Sequence, residues 1–435
     1  MAVGQSPEMS ASADPRHFTR AVTELGQTRL VVVQSPIFNV QGMKILDKGV
    51  AVDASLYERL TQHQLSQPLA DSLGSEPAIT GPVLRDAMSA LGRNEAFFSA
   101  MLEDPRLGAH FLTELELLPL PPAIAFQLTL MHETQGEQWM HALRSAVTAA
   151  WLGATQGATR YDLRMLAATG LLHDLGMLHL DPVLLKPELA LRREQRRQLY
   201  SHPVISATLL ERHHEYPREM LRAVLEHHEA MDGSGYPRNL NGAQISLWGR
   251  VLALTEVVTA MFAPDRPNPG LRISLVLRMN RHRFDAALVQ EISRLLPAIG
   301  TQAAPPMSEE PAQVLQTVAG LLARWPTAAP DDAALPKPRA TAVLRVGDLC
   351  GQLQRMLNGA GASPAQLAQL GDAVSVDATL RAELGPVAHE AVWQLRHIAR
   401  QASRQWQLGP DEAFPDGLQR WLEEADVLCA RHLSA

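Results

Sequence analysis

The residues best suited to chemistry are histidines and carboxylates set at short intervals. Ten of the 16 histidines fall between His110 and His228. Glu137 and His141 are four apart in a predicted helix and so share a face. His173-Asp174 ends an apolar run, Met165–Leu172, and His202-Pro203 follows. His227-His228-Glu229 then leads into Asp232-Gly-Ser-Gly-Tyr-Pro237, and Glu256 stands alone in the apolar stretch VLALTEVV. A carboxylate held against apolar side chains is costly unless it is paired, so Asp174 and Glu256 call for cationic partners. Imidazoles clustered with carboxylates are the donor set of a metal ion. The two cysteines, Cys350 and Cys429, form no CxxC pair, which excludes a cysteine-rich zinc site.

Those residues must be positioned by helices. With 435 residues the chain is long enough for two to four domains, and it is 46% hydrophobic but only 5% aromatic, a balance that favours helices packed by aliphatic side chains. The expected fold is mainly α, with a small N-terminal α/β module over 1–80, a helical domain over 81–325, a linker over 326–342 and a C-terminal helical segment over 343–435. Short strands are predicted at Arg29–Gln34 and Met43–Leu46, with a helix from Ala54 through Leu65 behind the capping Asp53. Helices are predicted at Pro82–Leu91, Glu95–Leu102, Ala123–Glu133, Glu137–Gly153, Arg160–Leu175, Arg192–His214, Arg218–His228 and Leu247–Phe262. The C-terminal segment shows apolar positions such as Leu344, Leu349, Leu353, Val392 and Leu395, but no chemistry. His110, His132, His179, His213 and His214 read as surface or packing histidines. Arg192–Arg197 reads as a solvated helix face, and Trp139, Trp151 and Trp248 as core.

The net charge of −7 speaks against a general DNA or RNA surface. The first residues have no basic start followed by an apolar run, and no apolar stretch approaches a membrane span. A cytoplasmic protein with reduced thiols is the expectation.

The text from His173 to Met261 resembles an HD-GYP domain, the subgroup of the HD metal-dependent phosphohydrolases associated with cyclic-di-GMP hydrolysis. The matching stretches are HDLG at 173–176, DPVLLKP at 181–187, HP at 202–203, HHEAMDGSGYP at 227–237 and GRVLALTEVVTAM at 249–261. His141 suits the family's first histidine. Counted from Glu137, the likeness spans about 130 residues. It implies an all-helical HD-type bundle holding two or three divalent ions, with iron or manganese favoured by the donor types. It places His141, His173, Asp174, His202, His227 and His228 at ligand positions, Asp174 bridging and His173-Asp174 at the heart of catalysis. Glu137 matches a ligand used by three-metal members, and Glu256 stands where the family has Asp. Gly233, Gly235, Tyr236 and Pro237 would border the substrate.

Two departures accompany the match. Met177 replaces the lysine of HDxGK, and after Arg266-Pro267 the family's Tyr and basic residue are replaced by Asn268 and Pro269. Lys186, Arg250 or Arg266 would have to supply the missing phosphate contacts. Two functions follow from the resemblance: a cyclic-di-GMP phosphodiesterase yielding the linear dinucleotide or GMP in second-messenger signalling, or a degenerate member serving as a nucleotide-responsive adaptor. The N- and C-terminal segments read as modules for protein partners or signals.

Overall fold

The computed structural model describes residues 15–185, 193–262, 269–299, 309–331, 335–370, 378–406 and 414–432. Helices dominate. In chain order the elements are α1 (Pro15–Leu25), β1 (Val31–Val33), β2 (Ile37–Phe38), β3 (Lys44–Leu46), α2 (Tyr57–Thr61), β4 (Leu73–Ser75), α3 (Gly81–Asn94), α4 (Ala96–Leu102), α5 (Phe111–Glu114), α6 (Pro122–Thr134), α7 (Gly136–Thr155), α8 (Arg160–Leu172), α9 (Arg193–Leu199), α10 (His202–Glu211), α11 (Arg218–Glu226) and α12 (Leu247–Thr259). They are followed by α13 (Pro269–Met279), α14 (Ala286–Leu295), α15 (Pro311–Ala328), α16 (Lys337–Gly359), α17 (Pro364–Leu370), α18 (Ala378–Trp406) and α19 (Asp416–His432).

Two compact units emerge, residues 1–265 with 282–299, and residues 266–281 with 300–435. In the first, α7 and α8 pack side by side, with α12 and α11 against them. The α7 face is rich in alanine, and Ala142, Ala146, Ala149 and Ala150 are buried, which lets the helices come close. Gly170 on α8 shows how close: a Cβ there would sit 2.4 Å from the backbone oxygen of Ser145. This contact is one turn from both His141 and His173. A capping box between Thr159 and Asp162 starts α8.

The N-terminal 80 residues do not stand apart as a module. The antiparallel pairs β1–β4 and β2–β3 are only two or three residues long, too small for a core of their own. The helix α1 packs on α6 and on the 3-10 turn Leu175–His179, so this region shares the core of the histidine-bearing helices. The predicted helix from Ala54 is shorter, a 3-10 turn running into α2.

Chain breaks differ where proline and histidine meet. The expected single helix Arg192–His214 is two, because Pro203 lacks an N–H and starts a new first turn at His202. The helix α8 ends at Leu172 and α11 at Glu226, so His173-Asp174 and His227-His228 lie just past helix C-termini.

In the second unit α15 packs on α16, α18 and α19 around Leu315, Val318, Leu322, Val346, Leu353, Val392 and Leu395. The helix α15 therefore groups with the C-terminal helices, not with the domain drawn to 325. The drawn linker is also partly helical, since Pro326 lies in α15 and α16 begins at Lys337. Leu344, one of the apolar positions of the C-terminal segment, is 59% exposed. Cys350 and Cys429 are free and buried, and burial pushes their thiols up to about 12 and about 11. No helix among the described residues is long and apolar enough to cross a membrane.

Candidate metal centre

Five helix ends converge on one buried point. His141 comes from the second turn of α7, His173-Asp174 from the end of α8, His202 from the start of α10, His227-His228 from the end of α11 and Glu256 from α12. His173, Asp174, His202 and His227 are buried. They form two groups whose donor atoms lie within 4.8 Å of one another: His141, His173, Asp174 and Glu256 in one, and His202, His227 and His228 in the other.

The ring orientations are set locally. The Nδ1–H of His173 donates to Gly170 O at 2.8 Å, that of His202 to Leu199 O at 2.7 Å, and that of His227 to Val224 O at 2.6 Å. A carbonyl only accepts, so in each neutral ring the proton is on Nδ1 and the Nε2 lone pair points inward. His202 Nε2 and His227 Nε2 thus face each other at 3.1 Å as two acceptors, with His228 Nε2 3.0 Å from His202 Nε2. Lone pairs at that distance repel unless an electrophile lies between them. A divalent ion is the electrophile this donor set fits.

Asp174 links the two groups. Its Oδ1 lies 3.3 Å from His202 Nε2 and 3.6 Å from His227 Nε2, while Oδ2 lies 3.5 Å from His173 Nε2 and 3.9 Å from His141 Nε2. Oδ1 is buried and accepts no hydrogen bond. One oxygen toward each imidazole group is the placement of a bridging carboxylate. Glu256 completes the first group, with Oε2 2.9 Å from His141 Nε2 and 3.3 Å from His173 Nε2. The extra methylene of Glu relative to Asp therefore still brings an oxygen to the site.

The electrostatics follow from burial and pairing. Burial alone would lower the pKa of His173, but Asp174 and Glu256 outweigh it and raise it to about 9. Burial would raise both carboxylates, yet the imidazoles around them hold Asp174 and Glu256 well below the usual range. His202 is pushed down to about 4 by burial, and His228 is also well below its usual value. The raised pKa of His173 carries a sign. In the metal-free protein it adds stability that is complete below pH 6.5 and is lost as pH rises through about 9. An incoming ion must displace that proton, so apparent metal affinity should climb roughly tenfold per pH unit between pH 7 and 9 and then level off. Metal titrations of the metal-free protein across this range check it; a flat profile would mean that His173 carries no proton.

The loop after the two histidines folds back over them. Tyr236 N donates to His228 O at 3.1 Å, and the Tyr236 ring stacks on the His228 imidazole with centroids 4.6 Å apart. A Cβ on Gly235 would lie 2.4 Å from the Cα of Glu229, so only glycine permits this approach. Gly233 takes a φ of 79°, and Pro237 is half-buried beside it. Two carboxylates that sequence reasoning did not single out hold this loop. Glu229 accepts from Arg238 N at 2.7 Å and Leu240 N at 2.8 Å. Glu226, wholly buried, accepts from Arg222, Arg238 and both the N–H and hydroxyl of Ser246. Their one sequence signal is adjacency to His227-His228.

Other expected residues are not brought to the cluster. Glu137 is exposed in the first turn of α7, where an acid is favoured by the helix dipole without any metal, and it is not in either group. Arg250 is spent elsewhere, donating to Ile245 O at 3.1 Å and pairing with Asp285 at 3.2 Å. Met177 packs against the apolar cluster of Leu180, Leu184 and Ile205. Lys186, Arg266 and Asn268 lie outside the described residues, and Pro269 opens α13 in the second unit.

The sequence model of the HD domain matches residues 128–288, the stretch that carries every residue of the cluster. Over 233 residues the chain is 28% identical to a cyclic di-GMP phosphodiesterase of Vibrio cholerae serotype O1, covering 49% of this chain and 47% of that protein. It is 30% identical over 196 residues to the cyclic di-GMP phosphodiesterase PA4108 of Pseudomonas aeruginosa, covering 42% and 46%. It is 29% identical over 151 residues to the 3'3'-cGAMP-specific phosphodiesterase 3 of Vibrio cholerae serotype O1, covering 35% and 33%. The chain thus spans about half or less of the length of these relatives. A solved structure titled Bd1817, a HDG"Y"P protein from Bdellovibrio bacteriovorus, aligns with a TM-score of 0.34 at 12% identity, over 61% of this chain and 95% of that one. The histidine cluster, the HD domain match and the GYP loop identify an HD domain of the HD-GYP kind.

Proposed function

We propose that this HD-GYP domain is a metal-dependent phosphodiesterase that opens a purine cyclic dinucleotide, cyclic di-GMP, to the linear dinucleotide or GMP. The observation that supports it most is the Asp174 carboxylate, one oxygen toward each imidazole group. His141, His173, Glu256 and Asp174 would hold one divalent ion, and His202, His227, His228 and Asp174 a second. The nitrogen and oxygen donors favour iron or manganese. When bound, such a pair supplies an activated water and neutralises the diester's charge. The chain's own part is orientation: backbone carbonyls fix the three Nδ1–H groups, and the stacked Tyr236 holds the His228 ring edge-on to His202. The relatives named for cyclic di-GMP and for 3'3'-cGAMP share a purine cyclic dinucleotide, which supports that substrate class. The test is an anaerobic preparation with metal analysis, then hydrolysis assays with iron and with manganese on both dinucleotides. Metal-dependent hydrolysis is expected. No hydrolysis of either by fully loaded protein would overturn the proposal.

The adaptor reading draws on Met177, whose thioether sits in an apolar cluster and brings no charge to the substrate phosphate. A lysine stem can lie along that cluster while its ammonium reaches out. One charge-assisted hydrogen bond is worth roughly 1.5–3 kcal/mol, or about ten- to a hundredfold. Met177→Lys should therefore raise kcat/KM by that factor in steady-state kinetics at matched metal content. Inactivity of both proteins would favour the adaptor.

A further inference from the structure

A cavity of about 590 Å³ opens beside the HD turn, and none of the residues of the metal cluster lines it. It is walled by α1, by α2 with the loop after it, and by His179, the last residue of the 3-10 turn that begins right after Asp174. Its apolar wall is Phe18, Leu60, Leu65 and Leu69. Its permanently charged lining is Arg16 and Arg212, and no Asp or Glu lines it, in a chain with 46 acidic residues; His63 and His179 add imidazoles, that of His179 pushed down to about 4 by burial. Gln62, Gln64 and Gln67 add hydrogen-bonding groups at the rim. Arg212 is braced from outside by Asp71 at 3.1 Å.

His179 is a built part of this wall. Its ring stacks flat on Phe18, with centroids 4.4 Å apart and 5° between planes, and its Nε2–H donates to Gln127 Oε1 at 3.1 Å. An imidazole stacked and bonded in this way has no role in the metal cluster, whose Asp174 lies five positions earlier in the chain. The volume suits a small molecule, and an apolar wall with a few convergent polar groups is what small-molecule sites present.

We propose that this cavity is a regulatory site for a small organic anion with a flat or aliphatic apolar body. The body packs on Phe18, Leu60 and Leu65, and the anion pairs with Arg212 and Arg16. Such a ligand clamps α1 and α2 onto His179 and so stiffens the turn that carries Asp174 at its start.

The test uses the full chain and anilinonaphthalenesulfonate, an aromatic sulfonate with both features, followed by its fluorescence. Saturable binding at one probe per chain is expected. Gln67→Trp, which fills the cavity from an exposed position, and Arg212→Gln, which removes its charge, should each weaken binding at least tenfold. Hydrogen exchange at the amides of 175–180 should slow when the probe binds. The His173→Ala, Asp174→Ala double variant should bind equally well, which separates this site from the metal reading. Non-saturable binding, or affinities unchanged in both cavity variants, would overturn the proposal. Displacement of the probe by inorganic phosphate alone would overturn the apolar half of the ligand's description.

Discussion

His173→Ala combined with Asp174→Ala should leave the protein without bound metal and with its helices intact. Asp174 reaches both imidazole groups, one oxygen toward each, and His173 lies between Asp174 and Glu256. Removing one partner of a buried charged pair typically costs about 3–5 kcal/mol, or roughly two to three and a half powers of ten in affinity. Losing both residues takes metal content at ordinary concentrations to background. The fold should survive for a specific reason. No charge is stranded, because His141 and Glu256 still pair at 2.9 Å, and the α7–α8 contact at Gly170 does not depend on either side chain. Metal content per chain by elemental analysis, with far-ultraviolet circular dichroism beside it, checks both halves. Equal metal in the wild type and the double variant would remove the basis for the site.

Much of this centre was legible because its chemistry is expensive. Asp174 after an apolar helix and Glu256 inside one demand partners, and the histidines at 141, 173, 202, 227 and 228 are the partners the structure supplies. What stayed hidden depends on where side chains point. Glu226 lies unmarked within the predicted helix Arg218–His228, yet it is buried and organises Arg238 and Ser246 under the GYP loop. Arg250 reads as a free cation beside the site, but Asp285, 35 residues on, takes it. Tyr236 reads as a substrate neighbour and is also a brace, stacked between His228 and Tyr200. The break before His202 is announced by Pro203, a residue that a first helical turn accepts and a helix interior does not. The grouping of α15 with the C-terminal helices was illegible because its apolar face does not say which helices it meets. Tertiary partners assigned these roles, and local pattern carries no information about them.

Glu256 offers the sharper test of how the first group works, because charge and reach can be varied separately. Glu256→Gln keeps the length and the oxygen but removes the charge that, with Asp174, raises the pKa of His173. A charged hydrogen-bonded contact is worth roughly 1.5–3 kcal/mol, so metal affinity in the first group should fall about ten- to a hundredfold. Hydrolysis should fall at least as far, since the second group alone holds only part of the pair. Glu256→Asp keeps the charge and draws the carboxylate back by about one carbon–carbon bond length. From 2.9 Å, that leaves it short of His141 but still inside the same buried field. Asp should therefore fall between wild type and Gln in both metal affinity and rate. The pH profile separates the two effects. In Gln the rise of metal affinity should shift toward lower pH, because His173 has lost one of the two carboxylates that hold its proton. In Asp the profile should stay near that of the wild type. A Gln variant with unchanged metal affinity and an unshifted profile would show that Glu256 is only a neighbour of the site.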